Sequence, residues 1–144
     1  MNPRQRQARF ERLRLLDQQK LERLADLARQ AADRLGQARR RFAEAEAQFE
    51  SELRAADRLP ELADQLRVWE RRIREELRAL QTLVEEALAA WESARLAVEQ
   101  QQNRMKAWDK LLEQLSAQVL ASELALENRL ADEAYLQKKI RQRI

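Results

Sequence analysis

Acid–base catalysis needs carboxylates, imidazoles or amines whose surroundings set their proton affinities apart, and the carboxylates at helical spacing here are Glu75, Glu76, Glu85 and Glu86. They alternate with arginines, which is the pattern of a solvated helix surface rather than of a site. Histidine and cysteine are absent. That removes the commonest metal ligand and proton shuttle, the thiol nucleophile and any disulfide framework, and it points to a cytosolic chain. The hydroxyl residues Ser51, Thr82, Ser93, Ser116 and Ser122 have no base neighbour in a pocket, and no glycine-rich loop is present to cradle a phosphate. The expectation is a protein that is not an enzyme, binds no cofactor or metal and takes no small-molecule substrate.

The elements that carry these residues follow from a narrow composition. Ala, Leu, Arg, Glu, Gln and Lys make up 110 of the 144 residues, with one Gly, two Pro and few β-branched residues. Such a chain lacks turn and strand formers and favours long helices. With 37% charged and 5% aromatic residues, a narrow seam between helices suits it better than a broad core. No stretch approaches the roughly 18 apolar residues of a membrane span, and the arginines of MNPRQRQARF lead into no apolar signal core.

Pro60, in DRLPEL, is the one credible break. It fits a first helical turn and pushes Leu59 away from helical angles. The spacing therefore predicts a single coiled-coil hairpin over residues 1–144: helix one about 5–57, a turn about 58–60, and a longer helix two about 61–142. At 1.5 Å per residue the two would run roughly 80 Å and roughly 120 Å.

Apolar or small residues recur in steps of three and four. In helix one they are Leu21, Leu24, Ala28, Ala31, Leu35, Ala38, Phe42, Ala45 and Phe49. In helix two they run from Leu77 through Leu80, Val84, Ala87, Trp91, Ala94 and Val98 to Met105, Trp108, Leu112, Leu115, Val119 and Leu126, with Gln101 and Ser122 the polar exceptions. This is the heptad rule of a coiled coil. Upstream the seam continues through Leu62, Leu66, Trp69 and Ile73, with a stutter between Ile73 and Leu77. Folding helix two back so that facing residue numbers sum to 118 or 119 pairs like positions and puts the crossover at residues 59 and 60, where proline had already placed the turn. In that register Phe10 meets Trp108, Ala28 meets Trp91 and Phe49 lies near Trp69, so the aromatics are expected to be seam packing rather than a ligand site.

Helix one runs out opposite about residue 113 in this register, so residues 115–144 are expected to overhang it. Leu115, Val119, Leu126, Leu130, Ile140 and Ile144 continue an apolar stripe there, widened by Leu120, Leu124 and Leu136. Exposed apolar surface of that extent docks on something. At the same end Arg4, Arg6, Arg9, Arg12 and Arg14 lie beside Arg104, Lys106 and Lys110, against Glu11, Asp109 and Glu113, which suggests an acidic partner surface. The expected partner-binding residues are Val119, Leu126, Leu130, Arg4, Arg6, Arg9 and Arg12. The Arg39, Arg40, Arg41 run reads as a solvated face.

The C-terminal segments NRMKAWDKLLEQ and ALENRLADEAYLQKKIRQR resemble the FliJ and YscO family of type III secretion proteins, which in turn resemble the central stalk of rotary ATPases. The resemblance rests on an AW-x-x-L element, here Ala107, Trp108 and Leu111, followed by an ENR-like element, here Glu127, Asn128 and Arg129. The segment LRVWERRIREEL also looks like the start of helix two in the virulence-type members. The charged residues that follow the flagellar ENR element are not reproduced in Ala131, Asp132 and Glu133, and no gate-binding aromatics can be matched near the turn. The resemblance implies a cytoplasmic stalk, peripheral to a membrane-embedded secretion apparatus, whose open end sits in the pore of a hexameric export ATPase and links it to the export gate. Arg129 joins the partner-binding set on this ground, and export chaperones are a further candidate partner.

Two other classes compete with the stalk. One is a homo-oligomeric scaffold in which two overhangs pair. The other is a nucleic-acid-binding coiled coil, suggested by a pI near 9.7 and the arginine-rich start. Against nucleic acid stand a net charge of only +3 and the lack of interleaved exposed aromatics.

Overall fold

A computed structural model describes residues 2–143, and Met1, Ile144 and the side chains of Leu62 and Ala63 lie outside what it describes. The fold is an all-α helical hairpin: α1 spans Pro3–Ala56, a 3-10 turn spans Pro60–Leu62, and α2 spans Ala63–Arg143. α1 starts two residues earlier than the spacing predicts because its first turn is capped. The Asn2 side chain accepts from the Gln5 backbone N–H at 2.8 Å, and Gln5 Oε1 accepts from the Asn2 N–H at 3.2 Å. This reciprocal box, with Pro3 as the first helical residue, satisfies donors that a helix start leaves open. At the other end the Leu59 N–H closes on the Ala56 carbonyl at 2.9 Å. Pro60, with no N–H to give, opens a 3-10 turn before α2 begins, so the turn lies one or two residues from its expected place.

Contacts divide the chain into two compact units, Met1–Leu21 with Gln101–Ile144, and Glu22–Gln100. In the second unit the turn joins the helices, and the seam positions from Leu24 to Phe49 and from Leu66 to Val98 are half-buried, with Leu35 fully so. Phe49 and Trp69 rings lie 5.5 Å apart. Phe42 and Trp91 are half-buried on the same seam, and the Arg95 guanidinium lies 5.4 Å from the Trp91 ring centroid. Among the described residues the side-chain hydrogen bonds of this unit are local, three or four residues apart, as in Thr82 to the Arg78 carbonyl and Arg40 to the Gly36 carbonyl. Apolar burial therefore supplies its cohesion.

In the first unit, Phe10 and Trp108 rings meet at 5.7 Å. Met105, Leu115 and Val119 are buried, together with the polar Gln101. This corrects two expectations. Leu115 and Val119, at 4% and 9% exposure, belong to the hairpin and not to an overhang, so Val119 is not available as a partner contact. The physical reason is the direction of helical side chains, which lean toward their own N-terminus. Val119 leans back toward Leu115 while the first turn of α1 leans forward over it, so two opposed helices cover about a turn more than numbering alone suggests.

Candidate functional site

The first unit is where polar chemistry is concentrated. Carried back from Leu21, the three-four spacing of α1 passes through Asp17, Arg14, Phe10, Gln7 and Pro3, and all five are half-buried. Three of these five carry polar side chains: α1 offers an acid, a guanidinium and an amide beside Phe10 and Pro3, and α2 answers with Gln101, Met105, Trp108, Leu112 and Leu115.

Asp17 is the hub. One carboxylate oxygen accepts from Arg104 Nε at 2.6 Å and from Trp108 Nε1 at 2.5 Å, and the Asp17 backbone carbonyl accepts from Gln101 Nε2 at 2.9 Å. The Asp17 side chain is only 16% exposed. These bonds, first the one from Arg104 and then the one from Trp108, hold its carboxyl below the usual 3.8, outweighing the opposing effect of burial. Every buried polar side-chain atom among the described residues has a partner. Trp108 thus does two things at once: its ring packs on Phe10 and its indole N–H is a charge-assisted donor.

Farther along, Arg14 Nε bonds Asp109 at 2.8 Å, Gln7 bonds the Ser116 hydroxyl at 3.1 Å, and Arg4 pairs with Glu123 at 2.5 Å. The basic cluster is therefore partly neutralised within the unit. Of its eight side chains, Arg4, Arg14 and Arg104 each face a carboxylate, two of which, Asp17 and Glu123, the sequence reading had not counted against them. Arg6, Arg9, Arg12, Lys106 and Lys110 remain exposed. Even so the unit holds 14 basic and 8 acidic side chains, a charge of +6, while Glu22–Gln100 holds 14 and 17, a charge of −3.

Beyond Glu123, every residue over 124–143 is exposed. Leu124, Leu126, Leu130, Tyr135, Leu136 and Ile140 are between 53% and 64% exposed. Arg129 lies among them and is exposed, and Lys139 Nζ sits 5.9 Å from the Tyr135 ring centroid. Of the expected partner-binding residues, Leu126, Arg129 and Leu130 fall on this bare stretch. Arg4, Arg6, Arg9 and Arg12 fall on the first turns of α1.

Among the described residues no group of three or more acidic side chains gathers as a metal site, and no helix is long and apolar enough to cross a membrane. A groove of about 570 Å³ lies in the second unit and is lined by Arg34, Arg40, Arg41, Glu44, Leu80 and Leu83. It is an open furrow along the helix surfaces and brings together no reactive pair.

What the fold defines is an all-α, coiled-coil-like hairpin with an apolar and basic surface at its open-ended unit. No protein-family model, curated protein or solved structure matches the chain.

Proposed function

We propose that the chain is a non-enzymatic stalk of a type III secretion ATPase, seated by its open-ended unit in the pore of the hexamer and coupling it to the export gate from the cytoplasmic side of the membrane. The observation that carries this reading is the bare stretch over 124–143, with six large apolar side chains exposed on a unit of charge +6. A hairpin with one longer helix, the AW-x-x-L element and the ENR-like element support the same reading. Such a stalk transmits position or torque through a stiff seam and acts through docking, so it needs no catalytic group. Export chaperones are a further class of partner for the same exposed surface.

The test uses the hexameric secretion ATPase encoded in the same genome, with hydrolysis and hexamer formation as readouts. The full chain is expected to stimulate both, and Leu126→Ser with Leu130→Ser is expected to abolish the stimulation with helicity unchanged. Val119 is left intact in this variant, because its replacement would disturb the hairpin itself. Full stimulation by the double variant, or none by the parent chain, would overturn the reading.

A further inference from the structure

The unit formed by Met1–Leu21 and Gln101–Ile144 has two flanks of unlike chemistry. One is marked by contacts: Asp109, Ser116 and Glu123 recur every seven residues on α2, and Arg14, Gln7 and Arg4 of α1 reach them. Glu11 and Glu113 fall on the same flank, seven residues after Arg4 and four after Asp109, and Lys106 lies three before Asp109. The other flank of α2 runs through Arg104, Leu111 and Gln118, across the buried line of Gln101, Met105, Leu115 and Val119. On α1 it is the stripe one residue before the seam, Arg6, Arg9, Leu13, Leu16 and Lys20, and all five are exposed. Because the helices are antiparallel, the stripe of α1 facing away from Arg4 and Glu11 lies on the same side as Arg104 and Leu111. Over 3–21 and 101–123 every acid is on the first flank except Asp17, which Arg104 holds in the seam. Among the described residues of these two segments the second flank carries none.

We propose that this second flank lies flat on a membrane surface rich in anionic lipid, with its cations at the phosphates and its leucines at the acyl boundary. Arg104 is held by Asp17, so the charge offered outward comes from Arg6, Arg9 and Lys20, and charge complementarity requires an anionic partner. The leucines decide which one. Leu13 and Leu16 stand in the middle of the stripe at 38% and 59% exposure, with Arg6 and Arg9 on one side and Lys20 on the other. Leu111 of α2 is half-buried on the same flank. Against a nucleic acid those apolar side chains would face phosphate and water and gain nothing. At a bilayer interface they enter the acyl boundary, while the long stems of arginine and lysine carry their charges back to the headgroups. A protein partner would be expected to grip an aromatic anchor, and this flank has none over the two segments. Two helices side by side also present a flat face, which suits a bilayer better than it suits a third helix. The inference does not rest on the stalk reading, and a chain held by this flank withholds Arg6 and Arg9 from any other partner.

Co-flotation of the full chain with vesicles tests the association, and matched substitutions test the flank. The chain is expected to float with vesicles of phosphatidylglycerol and phosphatidylcholine at low salt, and not with phosphatidylcholine alone. Arg9→Glu should weaken binding roughly tenfold, whereas Lys106→Glu, the same change of charge on the opposite flank, should weaken it about twofold at most. Leu13→Ser with Leu16→Ser should remove the binding that survives added salt, with helicity unchanged. Leu16→Ser alone, at the more exposed position, carries that test if the double variant loses helicity. The chain has no cysteine, so a polarity-sensitive dye can be placed on either flank. On Ala107→Cys it should report an apolar surrounding once vesicles are added, and on Glu113→Cys it should still report water. A chain that ignores anionic vesicles at low salt overturns the proposal, and so does equal weakening by Arg9→Glu and Lys106→Glu. Capture on immobilised polyglutamate, with vesicle binding indifferent to the leucine substitutions, assigns the flank to an acidic protein and overturns it as well. No arm uses the ATPase, so this inference and the stalk reading fail separately.

Discussion

The two units of this hairpin are held by different means. In Glu22–Gln100 the helices meet through leucine, alanine and aromatic side chains, and its side-chain hydrogen bonds stay within one helix. In the unit formed by Met1–Leu21 and Gln101–Ile144, Asp17, Gln101, Arg104 and Trp108 tie one helix to the other, joined by Arg14 with Asp109, Gln7 with Ser116 and Arg4 with Glu123. The difference separates cohesion from register. An aliphatic and alanine-rich seam gains its energy from apolar burial, which a shift by one heptad largely preserves. A carboxylate with two donors aimed at one oxygen tolerates no such shift, because slipping it leaves a poorly solvated charge without partners. The polar layer therefore specifies register within its own unit, whereas the apolar unit draws its cohesion from burial.

The strongest way to break that comparison is to change a tryptophan in each unit. Trp108→Ala removes the Phe10 contact and a donor to Asp17 together, and is expected to cost about 2–4 kcal/mol in urea unfolding, somewhat less than for a fully buried tryptophan because Trp108 is half-buried. The sharper comparison is with phenylalanine. Trp108→Phe keeps a ring but leaves Asp17 short of a partner, for about 1–2 kcal/mol. Trp69→Phe, in the apolar unit, should cost less than about 1 kcal/mol, as a swap that keeps most of the volume. Equal losses at the two positions would mean that ring packing alone governs both, and the distinction between the units would collapse.

Much of the fold is legible in the sequence because two independent signals coincide. The three-four spacing from Leu21 onward and the position of Pro60 both put the crossover at residues 59 and 60, and Phe10 with Trp108 and Phe49 with Trp69 do meet. What is missed lies upstream of Leu21, where the seam stops being apolar. A search for hydrophobic periodicity ends there, while the helical geometry continues through Asp17, Arg14 and Gln7. The signal that finds the hub is Gln101, a polar residue on an otherwise apolar seam. In the register whose residue numbers sum to 118 it faces Asp17, and two polar groups opposite each other in a seam satisfy one another. The start of the overhang is missed for a different reason. Counting residues treats side chains as perpendicular to the helix, whereas their lean toward the N-terminus buries Leu115 and Val119. It follows that the bare stretch begins near Leu124, later than counting predicts.

Acid supplies a smaller and more selective perturbation. Asp17 has a folded-state affinity for protons below that of the unfolded chain, whose aspartates titrate near 3.9. Its contribution to stability is therefore fully present above the unfolded value and is lost as pH falls through the lower folded one. Facing it are Arg104, Trp108 and Gln101 from α2, with Arg14 and Lys20 one turn away on α1. Asp17→Asn keeps an acceptor for the indole and guanidinium but not the charge. It is expected to be about 1 kcal/mol less stable than the parent chain at pH 7, with the gap closing below pH 4 as the parent's own carboxylate protonates. A gap constant down to pH 3 would mean that the charge adds nothing to the bonds. A matching substitution in the other unit, Asp26→Asn, changes an exposed pair with Arg29 three residues away and should shift stability by a few tenths of a kcal/mol at any pH.

The smallest expected effect is a gain, and it falls in the apolar unit. Gly36, the only glycine of the chain, follows the buried Leu35 in mid-helix, where a residue without a side chain loses the most backbone freedom on folding. Its backbone is ordinarily helical, with no positive φ among the described residues, and a Cβ placed there would meet nothing within 4 Å. Neither packing nor backbone geometry therefore requires glycine. Gly36→Ala is expected to raise stability by about 0.5–1 kcal/mol, or about 2–4 °C in Tm for a chain of this size. The same change would leave the Asp17 hub untouched. If stability in this unit is a sum of burial and helix propensity, the gain should persist undiminished when Gly36→Ala is combined with Asp17→Asn, since distant sites without shared partners add. A gain that vanished in the combination would show that the polar hub sets the register on which burial at Leu35 depends, and that the two means of holding the helices are not separable after all.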